Sequence, residues 1–413
     1  MSKPGPRPPS RRERRSRARF RRRVGAMVVL AAAAYVGVRL TSAVPAAVVT
    51  PVMAQPGVVR APAVALPWPT AGHAAVAVPA IGIDVPSGPQ GATPMASLAK
   101  MMTAYVILHD HPLSPGAEGP SITITQADLD DYNRDTGRDE ANAQVSAGEV
   151  LTERQILGGA MVHSADNYAD TLARWDAGSI GAFVARMNRA AVTLGMRHTV
   201  FADPSGFDQG SQSTAGDLLK VAAPDMGNPT FASLVQMTSI TLPVAGTIAT
   251  YTPLLGFEGV VGVKSGYTQQ AGGCDVLAVV RRVHGSPVLI LAAVTGQTGP
   301  NVLHLAGLQA LGLADAVGAA IGTTPVVRTG EVVARVTVAG HSVEAAATSS
   351  ASLLSWPGVR PRWVIQVTRP VTGGARRGTR IGSVVVSMGT QRAVVPVVLL
   401  GDLPRETLTQ RLF

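Results

Sequence analysis

The sequence predicts a mixed α/β chain that ends in a smaller all-β unit. At 413 residues it is too long for one ordinary small domain, so two or three units are expected. Helical and strand-like patterns alternate up to Gly322, whereas residues 325–413 consist of short Val-rich runs separated by Gly/Pro turns. Apolar residues make up 46% and charged residues 15% of the chain, which argues for a sizeable core and against extensive disorder.

The net charge of +10 is confined to the N-terminus. Residues 1–23 hold 11 of the 36 lysines and arginines and one acid, which leaves 25 basic and 25 acidic residues in the other 390. The body of the chain is therefore neutral, and we predict no nucleic-acid partner.

The basic tail runs into the uncharged 15-residue segment Val24–Val38, which Arg39 interrupts. A basic region before a short apolar run is typical of a secretory signal or an uncleaved signal anchor. Fifteen residues are short for a membrane span of about 20, and Val52-Met53-Ala54 offers a small-residue cleavage site. Cleavage and retention both stay open. Either way, we expect an extracytoplasmic protein, which a retained segment would anchor to the cytoplasmic membrane.

Composition then divides the chain into five predicted units. They are a basic cytosolic tail (1–23), a signal peptide or anchor (24–48), a Pro/Ala-rich extended spacer (49–73), a catalytic domain (74–322) and a small β-rich domain (323–413). Within the catalytic domain, the patterns predict a β-run at Ala74–Ile83, helices at Met95–His109, within Asp176–Leu194 and at Asn301–Ile321, and strands at Val260–Lys264, Cys274–Val283 and Pro287–Val294. The single cysteine, Cys274, excludes an internal disulfide and predicts a small buried apolar residue.

Lysine is rare in this chain, with four residues against 32 arginines, and one of them follows a serine at helical spacing. Ser97 and Lys100 lie three residues apart on the predicted helix, so they share a face and the amine can reach the hydroxyl. A desolvated lysine beside a second cation loses its proton more readily and can activate a serine. Alone, this spacing is more often a chance surface pair.

Two further groups complete a known pattern. Lys264-Ser265-Gly266 ends an apolar run, where a cation beside a hydroxyl suits a carboxylate and a glycine lets a ligand approach. Ser164-Ala165-Asp166-Asn167 lies between them in the chain, although Ser164 could be a plain helix N-cap. In this order the three groups fit the active-site serine pattern of β-lactamases and penicillin-binding proteins.

Residues from about 76 to 300 resemble the serine D-alanyl-D-alanine carboxypeptidases, the low-molecular-mass penicillin-binding proteins. The resemblance extends to Met95–Ala104, to Ala182–Thr199, to FADPSGF at 201–207 and to KSGYTQQAGGC at 264–274. Residues 325–413 resemble, more weakly, the β-rich C-terminal domain of some members. The resemblance implies a serine transpeptidase/β-lactamase-like domain, with an antiparallel sheet between helices on both sides, plus a small all-β domain.

The resemblance also implies roles. Ser97 would attack the bond between the terminal D-alanines of a peptidoglycan stem peptide, with Lys100 as general base and Ser164 relaying a proton to the leaving amine. Lys264 and Ser265 would hold the terminal carboxylate, and Gly266 would line the site. Backbone N–H groups of Ser97 and Tyr267 would form the oxyanion hole. Penicillins would trap Ser97, and no cofactor or metal would be needed.

The middle motif departs from the family's S-x-N, because Asp166 occupies the third place and Asn167 follows it. An ionised aspartate only accepts hydrogen bonds, and its charge favours the ammonium form of Lys100, which cannot act as a base. Three outcomes stay open: Asn167 replaces the missing amide, Asp166 is tolerated, or activity is reduced.

Three other functions remain as alternatives. A catalytically weak homologue would bind peptidoglycan or penicillin as a binding module without releasing D-alanine. A β-lactamase would hydrolyse penicillin rapidly, but the sequence offers no identifiable deacylation base. A polyanion binder would need the basic tail. Two metal-like signals, His109-Asp110-His111 and the calcium-like run from Asp131, lack the further ligands that each site requires.

Overall fold

The structure is a computed structural model that describes residues 11–41, 46–138, 140–368 and 371–405. The first ten residues of the predicted basic tail and the end of the predicted β-rich domain lie outside the described residues.

The helices of the described residues include two short 3-10 helices, Ala96–Leu98 and Phe257–Gly259. The α-helices are α1 (Arg11–Thr41), α2 (Ala99–Asp110), α3 (Gln126–Thr136), α4 (Glu153–Val162), α5 (Asp166–Ala177), α6 (Ile180–Thr193), α7 (Ala215–Gly227), α8 (Pro229–Val235) and α9 (Val302–Ala320).

The strands pair in antiparallel ladders throughout the described chain. They are β1 (Val48–Pro51), β2 (His73–Val78), β3 (Ile83–Pro86), β4 (Thr93–Pro94), β5 (Ser121–Thr123), β6 (Val150–Thr152), β7 (Gln212–Ser213), β8 (Ser239–Leu242), β9 (Gly246–Ala249), β10 (Val260–Thr268), β11 (Gly272–Val283), β12 (Ser286–Gln297), β13 (Gly322–Val327), β14 (Val332–Val338), β15 (His341–Ala347), β16 (Ala351–Ser355), β17 (Arg362–Val367), β18 (Arg380–Met388) and β19 (Gln391–Leu399).

The catalytic half is built on a five-stranded antiparallel sheet in the order β10-β11-β12-β2-β3. Successive residues of β11 point to opposite faces, so Val276 and Ala278 enter one core and Leu277 enters the other. Helix α9 covers the second face, while α2, α7 and α8 belong to the side of the first. The predicted sheet with helices on both sides is confirmed.

The predicted elements of this domain are present, with two changes of detail. The apolar run Ala74–Ile83 is not one strand, because β2 and β3 form a hairpin. The strand predicted at Val260–Lys264 continues to Thr268 and therefore carries the whole Lys-Ser-Gly group. Cys274 is fully buried, as predicted.

The C-terminal region is the predicted all-β unit. Its six-stranded sheet has the order β1-β14-β15-β19-β18-β17, and β13 pairs separately with β16. The core is formed largely by inward-facing apolar residues such as Val333, Val384 and Val397.

The Pro/Ala-rich segment differs from the predicted extended spacer. Strand β1 pairs with β14, with Val48 opposite Thr337, and the indole N–H of Trp363 donates to the carbonyl of Ala54 at 3.0 Å. Val59 N–H donates to the carbonyl of Val359 at 2.9 Å. Composition predicts the extended backbone of this segment. It does not predict that the segment packs against the β-rich domain, because the partner strand β14 is distant in the chain.

The N-terminal segment forms one helix, α1, which joins the basic tail to the apolar run. Apolar side chains along it, including Met27, Val29 and Leu30, are exposed to about two-thirds of their possible area. Among the described residues, α9 is the one helix that is both long and apolar enough to span a membrane. Since Ala306, Ala310 and Val317 of α9 are fully buried against the sheet, it is a core helix.

Candidate active site

The nucleophile candidate Ser97 lies in the 3-10 turn before α2. Residues i and i+3 eclipse each other in a 3-10 turn, and the Nζ of Lys100 donates to the Oγ of Ser97 at 3.0 Å. Lys100 is completely buried at the start of α2. The preceding residue, Ala96, adopts a left-handed φ of 50°, a conformation that a non-glycine residue adopts rarely and mostly where surrounding structure enforces it.

Lys100 has two further partners from different parts of the chain. Its Nζ contacts the Oδ1 of Asp166 at the start of α5, and it donates to the carbonyl of Ser205 at 3.0 Å. Burial raises the pKa of the Asp166 carboxyl, and the charge of Lys100 opposes this rise. Within this ion pair, desolvation therefore weakens the preference of the Asp166 carboxyl for its charged form.

Ser164 lies in the short connection between α4 and α5. It is buried and has a left-handed φ of 62°. The N-cap of α5 is Ala165, which makes no side-chain capping bond. The alternative interpretation of Ser164 as a helix cap is therefore wrong. Its left-handed backbone conformation belongs to the loop that joins α4 to α5.

Strand β10 brings Lys264 and Ser265 to the same region. Lys264 is almost fully buried, and its Nζ donates to the carbonyl of Ser265 at 2.7 Å. Desolvation, together with the charge of Lys100, lowers the pKa of Lys264 from 10.5 to about 7. The hydroxyl of Ser265 donates to the carbonyl of Tyr251 at 2.7 Å. The charge of Lys100 therefore disfavours the charged form of Lys264.

Two glycines allow the backbone to close on the nucleophile. A Cβ on Gly266 would lie 2.7 Å from the backbone N of Ser97, and one on Gly206 would lie 1.9 Å from the carbonyl O of Ala96. Such distances are shorter than any stable contact, so these positions require glycine. The need for glycine at position 266 thus comes from the approach of β10 to Ser97.

Asn167 does not occupy the place left by the missing amide. Its Oδ1 accepts from the N–H of Ala143 at 3.0 Å, and its Nδ2 donates to the carbonyl of Ala143 at 2.9 Å. Successive helical residues point about 100° apart, so Asp166 contacts Lys100 while Asn167 holds the loop that contains Ala143. Of the three open outcomes, the one in which Asn167 replaces the amide is therefore the one that these contacts favour least.

Tyr267, at the end of the predicted motif, is 55% exposed at the mouth of a cleft of about 810 Å³. Ser205 lines the same cleft, and its carbonyl is a partner of Lys100. The cleft therefore adjoins the nucleophile.

Sequence reasoning did not assign a role to the loop that supplies Ser205. Asp203 accepts through Oδ2 from the hydroxyl of Ser205 at 2.6 Å and from the N–H groups of Gly206 and Phe207 at 2.8 and 3.0 Å. This bonding fixes the loop against Ala96 and Lys100. The signal available in the sequence was an aspartate followed at short range by Ser and Gly, which is typical of a side-chain-capped turn.

The two metal-like signals serve other purposes. His109 pairs with Asp110 at 3.0 Å, whereas His111 pairs with Asp176 and packs at a tilt against Trp175. The run from Asp131 belongs to α3. Within the described residues, no group of three His, Cys, Asp or Glu side chains is arranged to hold a metal ion.

Comparison with known proteins gives a consistent result. The sequence model of Peptidase S11, described as D-alanyl-D-alanine carboxypeptidase, matches residues 87–294, which is half of the chain. The chain is 32% identical over 202 residues to a D-alanyl-D-alanine carboxypeptidase of a Streptomyces species, a match that covers 45% of this chain and 67% of the relative. It is 30% identical to a D-alanyl-D-alanine carboxypeptidase of Mycobacterium tuberculosis, covering 51% of this chain and 70% of that one.

Solved structures share the fold. A Streptomyces DD-transpeptidase aligns with a TM-score of 0.54 at 25% identity, covering 61% of this chain and all of that one. Penicillin binding protein 5 of Haemophilus influenzae aligns with a TM-score of 0.57 at 19% identity, covering 84% of this chain and all of that one. The second alignment extends beyond the part of this chain that the first one covers.

Proposed function

Because this chain belongs to the Peptidase S11 family of D-alanyl-D-alanine carboxypeptidases, we propose that Ser97, Lys100 and Ser164 carry its chemistry. The protein is a serine carboxypeptidase that removes the terminal D-alanine from peptidoglycan stem peptides. The observation that supports the residue assignment is the 3.0 Å contact between Lys100 Nζ and Ser97 Oγ, inside a buried cluster that also holds Asp166 and Lys264.

Acylation starts with attack of Ser97 Oγ on the carbonyl between the two D-alanines. The hydroxyl proton moves to Lys100 as the new C–O bond forms. The N–H groups of Ser97 and Tyr267 stabilise the negative oxygen of the tetrahedral intermediate, at about 3–4 kcal/mol for each donor. Collapse breaks the C–N bond, and Ser164 passes the proton to the leaving amine of D-alanine. Water then hydrolyses the ester and regenerates Ser97.

Asp166 is compatible with this role of Lys100 because of its burial. Desolvation raises the pKa of the Asp166 carboxyl and so favours its protonated form beside Lys100. When the proton resides on Asp166, the pair is neutral and the amine of Lys100 has the lone pair that it needs to accept the proton of Ser97. A protonated carboxyl also donates and accepts, as the amide of the family motif does.

The terminal carboxylate of the substrate binds to Lys264 and Ser265 on β10. An ammonium beside a hydroxyl complements a carboxylate, and the buried setting strengthens the attraction. Gly266 lets the peptide chain and the nucleophile approach the strand. The bicyclic ring of a penicillin carries a carboxylate at a similar distance from a reactive carbonyl, so β-lactams acylate Ser97 and inhibit the enzyme.

Family membership places the substrate in the cell wall, and helix α1 supplies the membrane attachment in this proposal. Its exposed apolar residues follow a basic segment, which favours a cytoplasmic N-terminus. The candidate cleavage site at 52–54 lies inside the segment that packs on the β-rich domain, where Met53 N–H donates to Val333 O at 3.4 Å. Cleavage there would separate β1 from its sheet, so retention of the anchor is favoured.

The test combines two measurements on one preparation of residues 46–413, which keeps the pairing of β1 with β14, with the full chain in detergent as reference. Intact mass is recorded with and without penicillin, and D-alanine release is assayed from a peptide ending in D-Ala-D-Ala. We expect an adduct on Ser97 together with release, and loss of both by at least about 10³-fold in Ser97→Ala. Release that survives in Ser97→Ala would overturn the assignment, and an adduct without release would support the binding-module alternative.

A further inference from the structure

The charge of the folded chain is divided unequally between its two domains. Residues 74–322 hold 12 lysines and arginines against 21 aspartates and glutamates, whereas residues 323–413 hold 11 arginines against four acidic residues. The neutral balance beyond residue 23 therefore combines an acidic catalytic domain with a basic β-rich domain. An excess of one sign on a domain attracts partners of the opposite sign.

The arginines of the β-rich domain are exposed and have no acidic partners. Within residues 323–368 and 371–405, every arginine is exposed, and none forms an ion pair with a carboxylate of the described residues. In the catalytic domain, by contrast, Arg134, Arg174 and Arg186 each pair with at least two aspartates. The positive charge of the β-rich domain is therefore available to an external anion.

Three of these arginines share the outward face of the six-stranded sheet. Arg362 on β17 lies opposite Ser387 on β18, which in turn lies opposite Arg392 on β19. Residues directly opposite on adjacent strands project from the same face, so the three form one row. Arg380 reaches this face as well, because its Nη2 donates to the Oγ of Ser383 at 3.1 Å, and Ser383 precedes Ser387 by four residues along β18.

The same face carries exposed apolar side chains beside the arginines. Val364, Val385 and Val394 form the next row, and Val364 and Val394 are 56% and 54% exposed. The other face of the sheet is the buried one, since Val384 and Val386 belong to the core. Arginines beside a shallow apolar row suit the interface of a lipid bilayer, where guanidinium groups meet phosphates and short apolar side chains reach the acyl boundary.

With α1 as the membrane anchor, the chain places this sheet beside the membrane. Helix α1 ends at Thr41, and β1, an edge strand of the same sheet, begins at Val48. The intervening residues span about 25 Å at most, which is close to the width of the sheet at about 4.8 Å between strands. The basic domain, and not the acidic one, is therefore the domain within reach of the headgroups.

We propose that the outward face of β17–β19 binds the anionic headgroups of the membrane in which α1 is anchored. This inference rests on the membrane attachment in the proposed function and adds a second contact to it. Strand β17 is the edge of the sheet opposite to β1, so the anchor acts at one edge and the arginines act at the other. Two contacts fix the orientation of the domain on the bilayer, which a single connection cannot do.

The experiment uses the full chain in nanodiscs, with a fluorophore attached through Ser387→Cys and a quencher on the lipid headgroups. Cys274 is fully buried and does not compete for the label. We expect stronger quenching in discs that contain phosphatidylglycerol than in discs of phosphatidylcholine alone, and high salt should abolish the difference. Each arginine near an anionic surface raises partitioning about five-fold, so Arg362→Gln with Arg392→Gln lowers the equilibrium constant for contact by about 25-fold.

The matched control is Arg189→Gln with Arg197→Gln, which removes two exposed arginines from the catalytic domain and keeps the full effect of phosphatidylglycerol. D-alanine release from a short peptide, measured on the same discs, reports folding and tests the proposed catalytic function separately.

Equal quenching in the two kinds of disc, or an effect that survives in Arg362→Gln with Arg392→Gln, overturns the inference and leaves the catalytic function intact. A face that binds soluble polyphosphate without approaching phosphatidylglycerol overturns it in favour of a soluble polyanion. A chain that stays with neither kind of disc overturns the membrane attachment as well.

Discussion

The catalytic domain and the β-rich domain bury different kinds of side chain. The catalytic domain buries Lys100, Lys264 and Asp166 around the nucleophile, together with isolated carboxylates such as Glu153. Within residues 323–368 and 371–405, by contrast, the buried polar side chains are Ser355 and Ser383, and no charged residue is buried. Burying charge costs free energy, so it persists where the charges take part in chemistry or are offset by neighbours. Changes of pH should therefore act mainly on the catalytic domain. Loss of apolar volume in the β-rich domain should lower its stability without lowering the activity of the catalytic domain.

Apart from loss of the nucleophile Ser97, the largest expected effect is at Lys264. Lys264→Gln removes the cation for the substrate carboxylate and should reduce acylation by penicillin by about 10²- to 10³-fold. Because its pKa is lowered to about 7, Lys264 is charged below this pH and neutral above it, so wild-type kcat/KM should fall as the pH rises above 7. Stopped-flow acylation between pH 5 and 9 measures both effects.

The control for this substitution is Lys220→Gln, since Lys220 is a half-buried lysine of α7 that pairs with the buried Asp217. It should leave acylation within about two-fold of the wild type, because Lys220 contacts Asp217 and Gly195 and none of the proposed active-site residues. In Lys264→Arg the charge persists, so its alkaline decline should disappear even if the rate is reduced. An unchanged decline in Lys264→Arg would assign that limb to another group.

The next effect concerns stability and involves Glu153, whose two carboxylate oxygens are buried without a hydrogen-bond partner. Burial raises its pKa from 4.5 to about 7. Below pH 4.5 both states are protonated. Between 4.5 and 7 the unfolded state ionises first, so the free energy of unfolding falls, by up to about 3 kcal/mol above pH 7. Glu153→Gln should therefore exceed the wild type in Tm at pH 8 and match it near pH 4.5. Equal pH profiles for the two proteins would show that Glu153 ionises freely when folded.

The smallest effect is a loss of stability without a loss of activity. Val384 is fully buried in β18, and Val384→Ala should destabilise the β-rich domain by about 2–3 kcal/mol through lost contacts and a small cavity. The kcat/KM for a short peptide should stay within about two-fold of the wild type below the unfolding temperature. Calorimetry and the D-alanine assay on the same sample measure this. A parallel loss of activity would mean that the β-rich domain supports the active site.

Local spacing predicted the part of the site that depends on local geometry. Ser97 and Lys100 meet because three residues along a helical turn bring two side chains together, and β10 carries Lys264 and Ser265 as one strand. Asn167 could not be placed from the sequence, since one residue of helical rotation decides whether a side chain faces Lys100 or Ala143. Ser205 was also missed, because its loop reaches Lys100 through long-range packing that no local pattern encodes.

The same distinction applies to the fold. Alternating Val-rich runs predicted the all-β unit, and apolar periodicity predicted α2 and α9. The proline-rich composition of residues 49–73 predicted an extended backbone, and β1 is extended. Composition could not identify β14 as the strand with which β1 pairs. Strand pairing between distant segments depends on the assembled sheet and on loop-closure entropy, which a local pattern does not contain.

The pairing of β1 with β14 has a consequence for the order in which the molecule is assembled. During synthesis from the N-terminus, β1 emerges early, but its partner β14 emerges only after the whole catalytic domain has been made. The β-rich sheet can therefore be completed only after the catalytic domain has been made and has begun to fold. Pairing of two strands so far apart in the sequence is expected to be slow, because the contact order is high. Once formed, β1 covers the edge of β14 that would otherwise be free to pair with another chain. Strands from before and after the catalytic domain are thus joined in one sheet, so a nascent chain that stops before β14 leaves β1 without this partner.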